Sequence, residues 1–266
     1  MKNKQKEFNM KKNKILAAFV TFMTLQISLI AEETSKVECE KLFLYFTEDE
    51  AVIQSKIQEY KTKLKNNPKD ENINYALGIL YLAIGQKKEG NIELSEKAIN
   101  YLERLSKEGR SDDNLLNAYY AMAWALRGRD EKNTAQKTHY AQKAIKIFDE
   151  NVENSIKEDS HWYIRYLRAN TYIRLPEEIF HKFNTAVEDY SFIEEYTYKK
   201  YDKRELKRLP VYMVSVFYFR GEIEKYNGKI DNAIAYWKKS VRLNEIHKKN
   251  IPVSVKAKKR ISIFDD

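Results

Sequence analysis

The sequence predicts an all-α fold, a solenoid of about four helical hairpins with flanking helices. Three observations carry that prediction. Only 7 Gly and 4 Pro occur in 266 residues, too few for the turns of a β-sandwich. Apolar residues recur at helical spacing through most of the chain. Finally, one small–large pattern returns at steps of 46, 42 and 47 residues, the mark of a repeat array.

The first segment is of another kind. Residues 1–31 hold six Lys and one Glu, and their Lys-rich start runs into the apolar stretch Ile15–Ala31. A polar, acidic segment follows directly, which completes the layout of a secretory signal peptide. Met10, followed by Lys11 and Lys12, is a second candidate start. Cleavage is expected after Ala31, although Leu29 is larger than such sites favour three residues upstream. An uncleaved anchor is the alternative. A 17-residue run spans only ~25 Å as a helix, short of a ~30 Å hydrocarbon core, and Thr21, Thr24, Gln26 and Ser28 dilute it. The expectation is an exported protein, periplasmic or associated with the cell envelope.

A lead segment, 32–46, carries Cys39, the single cysteine of the chain, so no intramolecular disulfide forms. Lys36, Val37 and Glu38 precede it where a lipid-attachment signal has small residues. Two readings stand for this thiol: pairing between two chains, or a tolerated residue near a terminus.

The repeat domain spans 47–246. It opens with Thr47 and Glu50, spaced as a capping box, and Val52, Ile53, Ile57, Tyr60 and Leu64 continue at helical spacing. Asn66-Asn67-Pro68 stops that helix, because proline excludes helix at and just before itself. Four hairpins follow. Their second helices share Ala98-Ile99 with Leu102, Ala144-Ile145 with Phe148, Ala186-Val187 with Tyr190, and Ala233-Ile234 with Trp237. Their first helices each carry a small residue, Gly78, Ala121, Ala169 or Gly221. Seven residues later comes a turn residue, Gly85, Gly128, Pro176 or Gly228, expected to end the helix in a left-handed conformation where it is glycine. Tyr81, Trp124 and Tyr172 stand three after the small residue in three units, and Glu224 in the fourth. The stretch "LPVYMVSVFYFRG" (209–221) has strand-like composition, but Pro210 at a helix start and the repeat register favour helix.

Small residues on both helices let two antiparallel backbones approach, and the large residue four later fills the space beside the contact. One hairpin cannot bury both its faces, so hairpins stack. In its final unit the chain resembles the tetratricopeptide (TPR) family, with Gly221, Gly228, Ala233, Trp237 and Ser240 on that family's small, turn, small, large and small positions. Pro68 closing one helix ahead of Gly78 fits as well. The other units depart: the step between their small residues is 20, 23 and 17 instead of 12, and Glu245 replaces the closing proline.

The resemblance implies a concave groove lined by the first helix of each hairpin. Carried over residue by residue, the groove positions are Asn72, Tyr75, Ile79 and Leu82; Leu115, Ala118, Met122 and Ala125; Tyr163, Tyr166, Asn170 and Arg174; and Ser215, Tyr218, Glu222, Lys225 and Tyr226. The expected partner-binding set is Tyr75, Tyr163, Tyr166, Arg174, Tyr218, Lys225 and Tyr226, since tyrosine and arginine join large contact area to a polar tip. Packing against neighbouring helices is the competing reading for each tyrosine.

No catalytic constellation stands out. His139, His161, His181 and His247 are scattered, and Glu177–His181 lacks the first histidine of a zinc helix. Gly85–Gly90 has phosphate-loop spacing, yet Asn91-Ile92 follow where Lys and Ser or Thr are required. No nucleophile elbow occurs, and Cys39 has no histidine arranged with it. The +9 net charge resides in the ends: residues 32–246 hold 36 basic and 36 acidic residues, which argues against nucleic acid as partner. No cofactor, metal or enzymatic activity is therefore expected. The basic tail 247–266, with a helix starting near Pro252, caps the stack, touches anionic surfaces through Lys256, Lys258, Lys259 and Arg260, or does both. The function expected is a scaffold or adaptor binding a protein of the envelope, accessory to an assembly or transport system. The alternative is a ligand-binding protein or cell-wall enzyme on a helical scaffold.

Overall fold

The computed structural model describes residues 45–202, 204–249 and 251–264, all within one compact unit, Leu42–Asp266. The expected signal segment 1–31, its cleavage point, Cys39 and the lead up to residue 44 lie outside the described residues. Every regular element among the described residues is helical, and none is a strand. In order they are α1 (Glu50–Asn66), α2 (Glu71–Lys87), α3 (Ile92–Leu105), α4 (Asn114–Asp130), α5 (Thr134–Asn154) and α6 (His161–Tyr172). Then come α7 (Phe183–Lys200), α8 (Met213–Tyr226), α9 (Ile230–His247) and α10 (Pro252–Phe264). A single turn, Glu177–Phe180, separates α6 from α7.

Local chemistry sets most boundaries. Asp70, Asp113 and Asn133 each accept the backbone N–H three residues on, which starts α2, α4 and α5. Asn67 closes α1 ahead of Pro68. The expected Thr47–Glu50 capping box does not form. The chain is still helical at 45–47, so Thr47 is buried inside that short stretch and the break falls at extended Asp49. The strand-like stretch 209–221 is helical from Met213. Pro210 lies in the preceding turn, its carbonyl accepting the Met213 N–H.

Helices α2 and α3, α4 and α5, α6 and α7, and α8 and α9 pack as consecutive pairs. First helices also touch across pairs, α2 against α4 and α4 against α6. The small–large pattern explains the pairing. A Cβ placed on Gly78 would fall 2.7 Å from Leu102 Cδ2, and one on Gly221 would fall 2.5 Å from Trp237 Cδ1. Each large residue of a second helix thus seats on the bare backbone of its first helix. Leu102, Phe148, Tyr190 and Trp237 are all fully buried, as are Ala121 and Ala169. Burial of each such large side chain stabilises by roughly 1.5–3 kcal/mol.

The turn glycines need correction. Gly228, at φ 76°, takes the expected left-handed conformation, but Gly85 and Gly128 lie inside α2 and α4. Gly128 serves close approach instead: its Cβ would fall 3.2 Å from the Lys137 carbonyl oxygen of α5. The left-handed turn after α2 falls to Gly90, whose N–H donates to Asp130 Oδ1 at 2.9 Å. The would-be phosphate loop is therefore a helix end held by a carboxylate.

At the C-terminal side, α10 packs on α9 and α8. Ala257 is fully buried, Phe264 lies 5.9 Å from Trp237, and Arg260 donates to both carboxylate oxygens of Glu222 at 3.1 and 3.0 Å. A buried ionic network ties α5, α6 and α7. Asp189, fully buried, accepts from Arg165 Nε at 2.6 Å and from Arg168 Nε and NH2 at 2.7 and 2.9 Å. Asp149 accepts from Arg168, the Tyr172 hydroxyl and Lys182.

Candidate functional site

The first helices carry an unbroken run of aromatic rings. Tyr75 meets Tyr119 edge-on at 6.1 Å, and Tyr119 meets Tyr163 at 6.2 Å with their hydroxyls 3.1 Å apart. Tyr163 stacks with Tyr166 at 5.8 Å, and Tyr166 meets Tyr212 at 6.1 Å. Phe46, just ahead of α1, stacks on Tyr119 at 6.4 Å with the rings 6° from parallel. Offset and edge-on pairs of this kind each add ~0.5–1.5 kcal/mol beyond the area they bury.

Of the expected binding residues, Tyr75, Tyr163 and Tyr166 fall together on this ladder, and they are 6, 0 and 5% exposed. Their rings pack inside the molecule; they do not offer an open surface. The same holds for Ile79, Leu82, Ala118 and Met122, also buried. Burial pushes the Tyr166 hydroxyl up to about 12, against hydrogen bonds from Ser215 and Asn170 and the Arg174 charge, which pull it down. Tyr190 is raised further by its complete burial.

The remaining four lie off that ladder. Arg174, exposed just beyond α6, holds its guanidinium 5.3 Å over Phe219 of α8. Tyr218, 6% exposed, is raised by burial and by Glu222, while Arg260 of α10 hydrogen-bonds it and lowers it. Lys225 lies 5.4 Å over the Phe264 ring, and Tyr226, 70% exposed, lies 4.5 Å from Phe183. Arg174 over α8, Lys225 over α10 and the exposed Tyr226 beside α7 are thus two cations and an accessible ring outside the aromatic interior.

Sequence reasoning missed Tyr119, Tyr212 and Phe46, and it named Arg260 only as a tail cation, not as a partner of Glu222 and Tyr218. Tyr119 had a visible signal, since it stands 44 residues before Tyr163 and equally far after Tyr75. The resemblance placed Ala118 in the groove instead, one residue off. Phe46 lies outside the repeat pattern and had none.

Among the described residues no cluster of His, Cys, Asp and Glu is arranged to hold a metal ion. One depression of about 320 Å³ lies on the α3 surface, lined by Lys97, Asn100, Tyr101 and Arg104. It is far more open than a ligand cavity, and Lys97 and Arg104 are already paired with Glu93 and Glu108. No family model matches the sequence, and no curated protein or solved structure matches the chain.

Proposed function

We propose that the chain is an exported, TPR-like helical-repeat scaffold that holds a protein partner in the cell envelope, as an accessory to an assembly or transport system. The observation that carries this reading is the seating of Leu102 on Gly78 and of Trp237 on Gly221. It is supported by consecutive helix pairs, with the first helices α2, α4 and α6 packed on one another. Export rests on the Lys-rich start and the apolar run Ile15–Ala31. Among the described residues no helix is long and apolar enough to cross a membrane.

The contact residues proposed are Arg174, Lys225 and Tyr226, together with Tyr218 and Arg260. Arginine and tyrosine at an accessible site beside packed aromatic rings are the residue types that dominate interface energies. Arg260 is held by Glu222, and Lys258 lies 3.0 Å from Glu245, so the tail is first a cap. Lys256 and Lys259 stay exposed for a secondary contact with anionic surfaces.

Crosslinking in the native cell, then affinity purification and mass spectrometry, tests the reading. One stoichiometric envelope protein, lost when Arg174 and Tyr226 are changed to Ala, supports the scaffold. A retained small molecule or glycan with no protein partner overturns it.

A further inference from the structure

Residues 45–50, Tyr-Phe-Thr-Glu-Asp-Glu, make contacts unlike those of a passive lead. Phe46 stacks on Tyr119 at the middle of the aromatic ladder, and Thr47 beside it is 5% exposed. The acidic half meets lysines from two distant parts of the chain. Glu50 pairs with Lys88 of the α2 end at 2.5 Å, and Glu48 lies 3.9 Å from Lys249 beyond α9. Burial lowers Lys87, and the carboxylates of Asp49, Glu50 and Glu48 oppose that shift, so all three lie in its field. Tyr119 thus faces Phe46, Lys88 and Lys249 face the acidic half, and Tyr45 turns to Lys56 and Tyr60 of α1.

We infer that this surface is a docking site for an aromatic–acidic peptide segment of a partner protein, and that residues 45–50 are its intramolecular stand-in. The inference rests on the scaffold reading for the partner's existence, while the chemistry of the site rests on the contacts above. A segment tethered to its own site competes at millimolar effective concentration, so the partner must match it and displace it. Loosening the stand-in therefore tightens binding of an added segment.

The test uses the full chain and a fluorescently labelled peptide, Tyr-Phe-Thr-Glu-Asp-Glu, followed by anisotropy. Phe46→Ala removes one ring stack and is expected to bind the peptide about three- to tenfold tighter than the unaltered chain. In the Phe46→Ala background, where the tethered segment is already loosened, Lys88→Glu with Lys249→Glu is expected to weaken the peptide at least about tenfold. A peptide with Lys at its three acidic positions is expected not to bind. Circular dichroism checks each variant. Should Phe46→Ala unfold, Glu48→Lys loosens the segment without touching a ring and is expected to act in the same direction. Peptide binding that neither variant improves overturns the inference, as does equal binding of the Lys peptide. Dimerisation of Phe46→Ala that the peptide prevents overturns it too, because the occupant is then a second copy. A cellular partner indifferent to all these variants overturns it and leaves the scaffold standing. Peptide binding with no cellular protein recovered overturns the scaffold and the partner, and supports only the chemistry assigned to the site.

Discussion

Replacing Gly221 by Ala sets two known effects against each other at one atom. In an ordinary helix interior the change gains about 1 kcal/mol, because glycine loses more backbone freedom on folding. At Gly221 the new methyl falls 2.5 Å from Trp237 Cδ1 and 3.0 Å from the Ala233 carbonyl oxygen. Neither neighbour yields easily. The indole is fully buried with Phe264 against it, and the carbonyl belongs to the α9 backbone. Overpacking of this kind costs roughly 1–3 kcal/mol, and these distances place it at the upper end. The net expectation is a loss of about 1–2 kcal/mol, or about 3–6 °C in Tm for a chain of this size. Gly85→Ala is the matched control. It also lies in a helix, but its methyl meets Leu126 and Leu94 at 3.5 and 3.6 Å, ordinary contact distances, so the helical gain survives and stability rises. Urea unfolding followed by circular dichroism and tryptophan fluorescence measures both. A Gly221→Ala midpoint equal to or above that of the unaltered chain would refute the idea that bare backbone sets the α8–α9 approach.

Asp189→Ala leaves Arg165 and Arg168 without their shared buried carboxylate and is expected to cost about 3–5 kcal/mol in the same titration. Tyr166 is raised from 10.0 to about 12, so the fold favours its neutral phenol. That contribution is complete below pH 10, is lost as pH rises through about 12, and amounts to roughly 2–3 kcal/mol. Urea midpoints measured across that window should fall, and they should fall less in Tyr166→Phe. Arg174→Glu with Lys225→Glu reverses two surface charges outside the core. Pull-down from cell extract is expected to lose the partner by about tenfold or more, while the helical spectrum stays unchanged.

The helix pairing was legible because close packing forces a sequence signature. A second-helix tryptophan or leucine can sit on the first helix only where that helix has no side chain, so Gly78 and Gly221 announced their partners. The same reasoning misread Gly85 and Gly128. Absence of a side chain serves a left-handed turn and a close helix approach equally well, and periodicity alone cannot separate them. The tyrosine face was half legible. Tyr75, Tyr163 and Tyr166 do fall on one ladder of rings, but the carried-over positions assume that every first helix presents the same face. In α4 the 44-residue spacing from Tyr75 and to Tyr163 puts Tyr119 on the ladder, whereas carrying over the position three before Ala121 selected Ala118. Sequence gave no sign that residues 45–50 lie against those rings, because contacts between a lead segment and a distant helix follow no period.

The placement of that short segment also bears on the order in which the protein is made. A stack of helix pairs can assemble as it is synthesised, each pair closing on the one before. Residues 45–50 cannot. Phe46 must wait until Tyr119 has been added, and Glu48 must wait about 130 residues more for Lys249. Among the described residues, the first to emerge are thus among the last to be satisfied. During that interval the Phe46 ring and the Glu48 carboxylate lack the neighbours that the finished fold gives them.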